Sequence, residues 1–298
     1  MDRMTSCRIC PRSCGVNRKN GEIGYCGETD RLRIARAALH FWEEPCISGD
    51  SGSGTVFLTG CNLGCVYCQN YDIAHEGRGK EVTIERLSEI FLELMNKGAA
   101  NINLVTPTHF SPQIKDAVIR SKSKGLNIPI VYNTSSYETV ESLRELVGIV
   151  DIYLADFKYF NGFIAERYSN APDYPEITAL AFGEMFRQQP ELIFNDDGML
   201  INGVVARHLV LPGHQEDSKK VLKHLYQRYG DSVLISIMNQ FTPSAALSSW
   251  PEINKVLDNE EYQQLVDYAV TLGIENGYIQ EGETAIESFI PPFNNEGV

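Results

Sequence analysis

The hydrophobic pattern changes character near residue 55. Before it, residues 1–50 show no sustained period, only glycines, scattered charges and five cysteines. After it, short apolar runs alternate with segments of helical spacing. "TVFLTG" reads as a buried strand that stops at glycine. "TIERLSEIFLELMNKG" puts Leu87, Ile90, Phe91, Leu94 and Met95 on one helical face, with Thr83 as N-cap and Gly98 as stop. "INLV" is the next strand. "SPQIKDAVIRSKSKG" is a helix with Ser111 as cap, Pro112 in its first turn and Gly125 at its end. "IPIVYN", the helix "SSYETVESLRELVG" and the strand "VDIYLAD" continue the alternation.

The middle is less regular. Residues 162–190 read as two helical pieces broken near Pro172 and Pro175, and "LIFNDDGMLINGVV" as a hairpin turning at Asp197 and Gly198. The strand "VVARHLVLPG", the helix "DSKKVLKHLYQRYG", the strand "SVLISIM" and a last helix before "NGYIQEG", a short strand, complete the chain. Six apolar strands alternating with helices predict an α/β fold, a parallel sheet with helices outside, either open or closed toward a barrel. Both forms gather functional groups at the carboxyl ends of the strands. The polar residues there are Cys61, Cys65 and Cys68; Thr106, Thr108 and His109; Asn133 and Ser135; Asp156 and Lys158; then Asn239 and Gln240. The expected division is a cysteine-rich extension over 1–50 and the repeating α/β body over 51–298.

Composition narrows the function classes. The chain has 298 residues and a formal charge of -13, which argues against nucleic-acid binding by phosphate neutralisation. No apolar run is long enough to span a bilayer, and "MDRMTSCRIC" lacks the apolar core of a signal peptide. The expectation is a cytoplasmic protein with neither nucleic-acid nor membrane partners. All eight cysteines fall within residues 7–68. In a reducing compartment such crowding points to metal binding or catalysis rather than disulfides.

Two cysteine sets stand out. Cys61, Cys65 and Cys68 follow the first strand at C-x3-C-x2-C. Three thiolates do not close a tetrahedral zinc site, but they can hold three irons of a [4Fe–4S] cluster and leave the fourth open. An open iron is a place for a substrate or cofactor to bind. Cys7, Cys10, Cys14 and Cys26 are four thiols on a glycine-rich loop, fit for zinc or for a second cluster. The glycines beside Cys14 and Cys26 tilt the reading toward zinc. Cys46 belongs to neither set and reads as a small buried hydrophobe or a redox thiol. His40, Glu43 and Glu44 beside it either line a barrel mouth or face water.

With Tyr67 before the third cysteine, "CNLGCVYCQNYDI" resembles the signature of the radical S-adenosylmethionine (SAM) superfamily. Together with "INLVTPTH", "VYNTSSYE", "DIYLADFKY" and "RHLVLPG" it is similar to a branch related to the pyruvate formate-lyase activating enzyme. The resemblance implies a partial (β/α)6 barrel, a [4Fe–4S] cluster on Cys61, Cys65 and Cys68, and SAM chelated to the open iron. It implies reductive cleavage of SAM to methionine and a 5′-deoxyadenosyl radical that abstracts hydrogen. It also implies an electron donor such as flavodoxin or ferredoxin, and a protein or peptide substrate. Tyr67 would lie near adenine. Where relatives carry a glycine-glycine-acid turn this chain has "VTPTH", so Thr106, Thr108 or His109 would take over the SAM contacts there. Asn133, Ser135, Asp156, Lys158 and Arg207 match later SAM-site positions. The residues alone leave Asp156–Lys158 open as a solvated pair and Arg207 as a buried partner of a barrel carboxylate.

Three functions follow as expectations: an activase that draws hydrogen from a glycine of a partner protein, a radical SAM enzyme acting on a small molecule or peptide, or a non-enzymatic Fe–S electron carrier or sensor.

Overall fold

The computed structural model describes residues 3–280 and 291–298. Its strands are β1 (Arg33–His40), β2 (Ser53–Leu58), β3 (Lys80–Glu81), β4 (Ile102–Val105), β5 (Ile130–Thr134), β6 (Ile152–Asp156), β7 (Ile193–Phe194), β8 (Leu200–Leu209), β9 (Leu234–Met238) and β10 (Gly277–Ile279). Its helices are α1 (Pro45–Ser48), α2 (Tyr71–Ala74), α3 (Ile84–Asn96), α4 (Ser111–Ser123), α5 (Val140–Arg144), α6 (Gly162–Ser169), α7 (Tyr174–Gln188), α8 (Gln215–Tyr229) and α9 (Asn259–Leu272). The sheet order is β10-β9-β8-β6-β5-β4-β2-β1-β3. From β2 to β10 every neighbouring pair along this path is parallel. This is the α/β architecture of a partial (β/α) barrel.

Strand periodicity decides what each face does. Val56, Leu104, Tyr132, Tyr153, Val204 and Ile235 point into one large core shared with the helices. Their neighbours Val131, Ile152, Leu154, Val205 and Leu234 point the other way, into a second cluster on the inner face. Side chains alternate along a strand. The residues two beyond these inner positions, Asn133, Asp156, Arg207 and Ser236, therefore share the inner face. Cys46 and Ile47 of α1 fill its lower part, where Asn101 Nδ2 donates to the carbonyl of Ile47 at 2.7 Å.

The helix signals hold at α3, where Thr83 Oγ1 accepts from the amide of Arg86. Pro175 opens α7 at its first turn rather than breaking a helix. The hairpin at Asp197–Gly198 forms between β7 and β8, and β10 is the short strand expected near residue 277.

Residues 33–40 depart from the expectation of an irregular N-terminal segment. They form β1, antiparallel to β2, with a register shift between Ile34 and Arg36. The alanine- and arginine-rich "RIARAALH" carries little strand signal of its own, and pairing with β2 supplies the order. The far edge of β1 is shared by β3, which pairs with Arg33 and Ile34, and residues 295 and 296: Ala37 N–H donates to Glu296 O at 2.8 Å and Asn295 N–H to Ala35 O at 3.0 Å. No helix among the described residues is long and apolar enough to cross a membrane.

Candidate active site

The cavity at the carboxyl ends of β2, β4, β5, β6, β8 and β9 contains about 1220 Å³ of empty space, part of it open to solvent. Cys61, Cys65 and Cys68 line it together with Tyr67, Thr106, Asn133, Ser135, Asp156, Lys158 and Arg207. Ten of the twelve residues expected near the cluster and SAM thus face one space.

The cysteine loop is built by local geometry. Gly60 turns the chain out of β2 at φ +77°, and a Cβ there would sit 2.5 Å from Cys26 O. Cys68 N–H donates to Cys65 O at 3.2 Å and Leu63 N–H to Cys61 Sγ at 3.4 Å. Val66 N–H donates to Tyr168 O at 2.9 Å, so the end of α6 seats the loop. Arg12 grips it from outside: Nε donates to Asn62 O at 2.9 Å, and Nη2 to Leu63 O and Ser169 O at 3.0 Å each. The guanidinium also lies 4.0 Å from the centre of the Tyr25 ring.

All eight cysteines are free thiols. Burial pushes the Cys61 and Cys68 thiols up, and the neighbouring thiols of the set add to this, while Lys158 pulls in the other direction. Three thiolates crowded in one short loop repel one another, and iron ions relieve that repulsion. The donor set and its burial thus fit a cluster. Among the described residues no three His, Cys, Asp or Glu side chains form a single-ion site. A cluster asks less, because each thiolate binds its own iron.

Below the thiols lies a charged network. Lys158 Nζ bonds Asp156 Oδ2 at 2.7 Å, and Arg207 Nε bonds Asp156 Oδ1 at 2.9 Å. Arg207 also bonds Glu43 Oε2 at 3.0 Å and Asn133 Oδ1 at 2.6 Å. Glu43 Oε1 accepts from Asn103 Nδ2 at 2.8 Å. Burial works against ionisation of Asp156, but Arg207 and then Lys158 outweigh it and hold its carboxyl below the usual range. Burial likewise opposes the Lys158 charge, and Asp156 overcomes it. The pair is therefore ionic and largely enclosed within the cavity wall, not a pair on the open surface. Arg207 is the barrel arginine with carboxylate partners, its guanidinium shared between two strands and the segment before α1. Glu43 is the residue whose position the sequence left open. It follows two aromatics and precedes Glu44-Pro45, with no periodicity to show which way it faces.

Thr108 and His109 do not line the cavity. Thr106 takes a left-handed φ of +59°, and the chain then turns away through a short 3-10 segment, Thr108–Phe110. Thr108 Oγ1 donates to Glu138 at 2.6 Å, and the His109 ring bonds Thr59 O at 2.7 Å. Burial, then the nearby Arg18, drops the His109 pKa to about 3, so it is neutral. The role expected of these two residues passes over them because the turn reverses the side on which they stand. Cys46 is buried, and burial raises its thiol to about 11; it is a packed side chain under the lumen floor.

Residues 55–182 match the profile of the radical SAM superfamily. The chain belongs to the radical SAM superfamily. An uncharacterized protein of Methanocaldococcus jannaschii is 30% identical to this radical SAM protein over 273 residues, 89% of this chain and 74% of that one. A second uncharacterized protein of the same organism is 24% identical over 163 residues, 49% of this chain and 47% of the other. Among solved structures, Streptococcus suis SuiB bound to S-adenosylmethionine superposes with a TM-score of 0.52 at 11% identity, covering 75% of this chain and 49% of SuiB. SuiB bound to its precursor peptide SuiA gives 0.51 at 11% identity, covering 74% and 46%. The chain spans about half the length of SuiB, and the likeness is one of fold. Members of the superfamily are enzymes that use a [4Fe–4S] cluster and SAM.

Proposed function

We propose that Cys61, Cys65 and Cys68 hold the cluster, that SAM lies between them and the Asp156–Lys158–Arg207 network, and that the substrate is carried on a polypeptide. The glycine of a partner protein is the form suggested by the resemblance to the activating-enzyme branch. The observation that carries this reading is that three thiols and polar groups from four further strands line one cavity. When bound, the reduced cluster supplies the electron that cleaves SAM to methionine and a 5′-deoxyadenosyl radical.

The chain's own residues bind and orient. Tyr67, packed against Phe241 with ring centres 5.9 Å apart, offers an aromatic face and edge for adenine. Asp156, kept ionised, suits the SAM amino group or a ribose hydroxyl, and Lys158 suits the carboxylate. Arg207, already committed to Glu43 and Asp156, positions Asp156 rather than reaching for the ligand itself. Trp42 lines the cavity while 60% exposed, an apolar contact at its rim for an incoming peptide.

Cys7, Cys10, Cys14 and Cys26 are the ligands we propose for a second metal, zinc or a second cluster; they do not stand as a ready single-ion site, so a zinc ion would have to draw them together. Cys7, Cys10 and Cys26 are buried, and a Cβ at Gly24 would lie 3.4 Å from Cys26 Sγ and 3.5 Å from Cys14 Sγ. Burial raises the Cys10 and Cys26 thiols to about 12 and about 11, so binding there would release protons.

The test is anaerobic reconstitution with iron and sulfide, reduction by dithionite, and assay for 5′-deoxyadenosine from SAM in the presence of candidate peptides. Deuterium transferred from a labelled glycine into 5′-deoxyadenosine supports the activase form. Transfer from a small molecule alone overturns the polypeptide reading. Metal counts on a Cys61/Cys65/Cys68 triple alanine variant assign the N-terminal site: four residual irons mean a cluster, one zinc means a structural ion.

A further inference from the structure

Ser169 is the last residue of α6 and is 1% exposed. Its Oγ lies 3.1 Å from Cys65 Sγ and is the donor of that hydrogen bond. The same oxygen lies 2.7 Å from Tyr159 Oη, and Tyr159 Oη lies 2.6 Å from Tyr67 Oη. Three hydroxyls, those of Ser169 and Tyr159 buried and that of Tyr67 partly so, therefore run in single file from the aromatic of the cysteine loop to the middle cysteine of the same loop.

Each hydroxyl has one proton to give. A thiolate bound to iron can only accept. With the Ser169 proton on Cys65, Tyr159 must donate to Ser169, and Tyr67 must donate to Tyr159. The chain has one direction, ending on sulfur.

We propose that Ser169 raises the reduction potential of the cluster held through Cys65, and that Tyr159 and Tyr67 form the relay that keeps its hydroxyl aimed and polarised. The proposal rests on Cys61, Cys65 and Cys68 being the cluster ligands. A hydrogen bond to a cysteine sulfur draws electron density from the cluster and favours the reduced, more negative state. Ser169 and Tyr159 are shielded from water, where this effect is stronger, and bonds in a row reinforce one another.

The placement is not a chance rotamer. A serine at a helix end commonly bonds the carbonyl four residues back. Here that carbonyl, Ala165 O, is taken by the amide of Asn170. The backbone around Ser169 is held on both sides: Tyr168 O accepts from Val66 N–H at 2.9 Å, and Ser169 O accepts from Arg12 at 3.0 Å. The proposal also gives Tyr67 a use for its hydroxyl that a ring alone would not have.

The test compares anaerobically reconstituted full-length variants. Iron and sulfide content is measured first, and then the midpoint potential of the electron paramagnetic resonance signal that changes on adding SAM. Ser169→Ala is expected to load iron normally and titrate at a more negative potential. Ser169→Thr, which keeps the hydroxyl, should return to the wild-type value. Tyr67→Phe should shift the same way by less, and add nothing in the Ser169→Ala background. If Ser169→Ala fails to load, Tyr159→Phe carries the test, since it leaves Ser169 in place without its donor. A loaded Ser169→Ala or Tyr159→Phe with an unchanged midpoint overturns the relay. Wild-type protein with no SAM-responsive cluster overturns the ligand reading, and the relay with it, and is told apart by its iron content.

Discussion

The amide of Cys61 donates to the carbonyl oxygen of Cys26 across 3.1 Å. The two residues belong to different cysteine sets, so the N-terminal knot and the radical SAM loop share a backbone bond at the residue where the loop begins. Arg12, lying between Cys10 and Cys14 in sequence, adds its contacts to Asn62, Leu63 and Ser169. The N-terminal segment is a brace for the loop that carries the three thiols.

Replacing Arg12 tests the brace. Arg12→Ala removes charged donors from carbonyls that are partly buried, each worth roughly 1.5–3 kcal/mol. The expected outcome is a lower unfolding midpoint and reduced iron retention after desalting. Arg12→Lys should recover little, because a single ammonium cannot span three carbonyls. Normal iron retention in Arg12→Ala would show that the loop holds its shape without the brace.

Gly60 offers a sharper probe of the same junction. Besides its φ of +77°, a side chain there would meet Cys26 O at 2.5 Å and Glu28 Cγ at 2.6 Å. Gly60→Ala should cost roughly 2–4 kcal/mol in urea denaturation. Gly98→Ala is the control: it shares a positive φ, +86°, but meets nothing within 4 Å, and should cost only about 1–2 kcal/mol. Equal costs would mean that the contact with Cys26 carries no weight.

Arg207 joins Glu43, Asp156 and Asn133 in the lumen. Truncating it to alanine leaves the largely enclosed Glu43 carboxylate without a cation and Asp156 with Lys158 alone. Loss of one partner from a buried ionic group costs roughly 3–5 kcal/mol, which urea denaturation of Arg207→Ala should show. Glu43→Gln in the same background should recover part of that loss, since the carboxylate left without a cation is then gone, whereas Asp156→Asn should not, because it would leave Lys158 unpaired.

Glu138 gives a pH dependence whose sign can be worked out. It is buried and accepts from Thr108 and Thr134 at 2.6 and 2.7 Å. Burial raises its pKa from 4.5 to about 7, against the pull of those bonds. Its contribution to stability is complete below pH 4.5, where folded and unfolded chains are both protonated. It is lost as pH rises through about 7, a change on the order of 3 kcal/mol. Glu138→Gln keeps an acceptor for both hydroxyls and does not titrate, so its stability should fall less than wild type between pH 5 and 8. Parallel stability–pH curves for the two proteins would refute this.

Much of this arrangement is written in strand periodicity. "IVYN" and "DIYLAD" each end on a polar residue two positions beyond an inner apolar one, which names Asn133 and Asp156, whereas Arg207, inside "VVARHL", is named only through the resemblance to the activating-enzyme branch. The three thiols follow from spacing alone. Position after a strand was a poorer guide beyond the first residue: Thr106 lines the cavity, but its left-handed backbone carries Thr108 and His109 away. Glu43 and β1 escaped because their order is borrowed. Glu43 is fixed by Arg207, 164 residues later, and β1 by pairing with β2 and the chain's end. Ser169 stood in a segment read only as broken helix, and nothing local in the sequence couples it to Cys65.

That pairing of β1 with the last residues has a practical side. Ala35 and Ala37 spend their outward backbone groups on Asn295 and Glu296, and Arg36 adds an ion pair to Glu296 at 2.6 Å. The end of the chain thus works as a selvedge, finishing an edge that would otherwise fray into contact with neighbours. A version trimmed before residue 294, or with a bulky fusion drawing that segment away, would leave the part of β1 beyond its pairing with β3 open as a template for strand addition. Self-association in such a version would be an artefact of the cut, not a property of the enzyme.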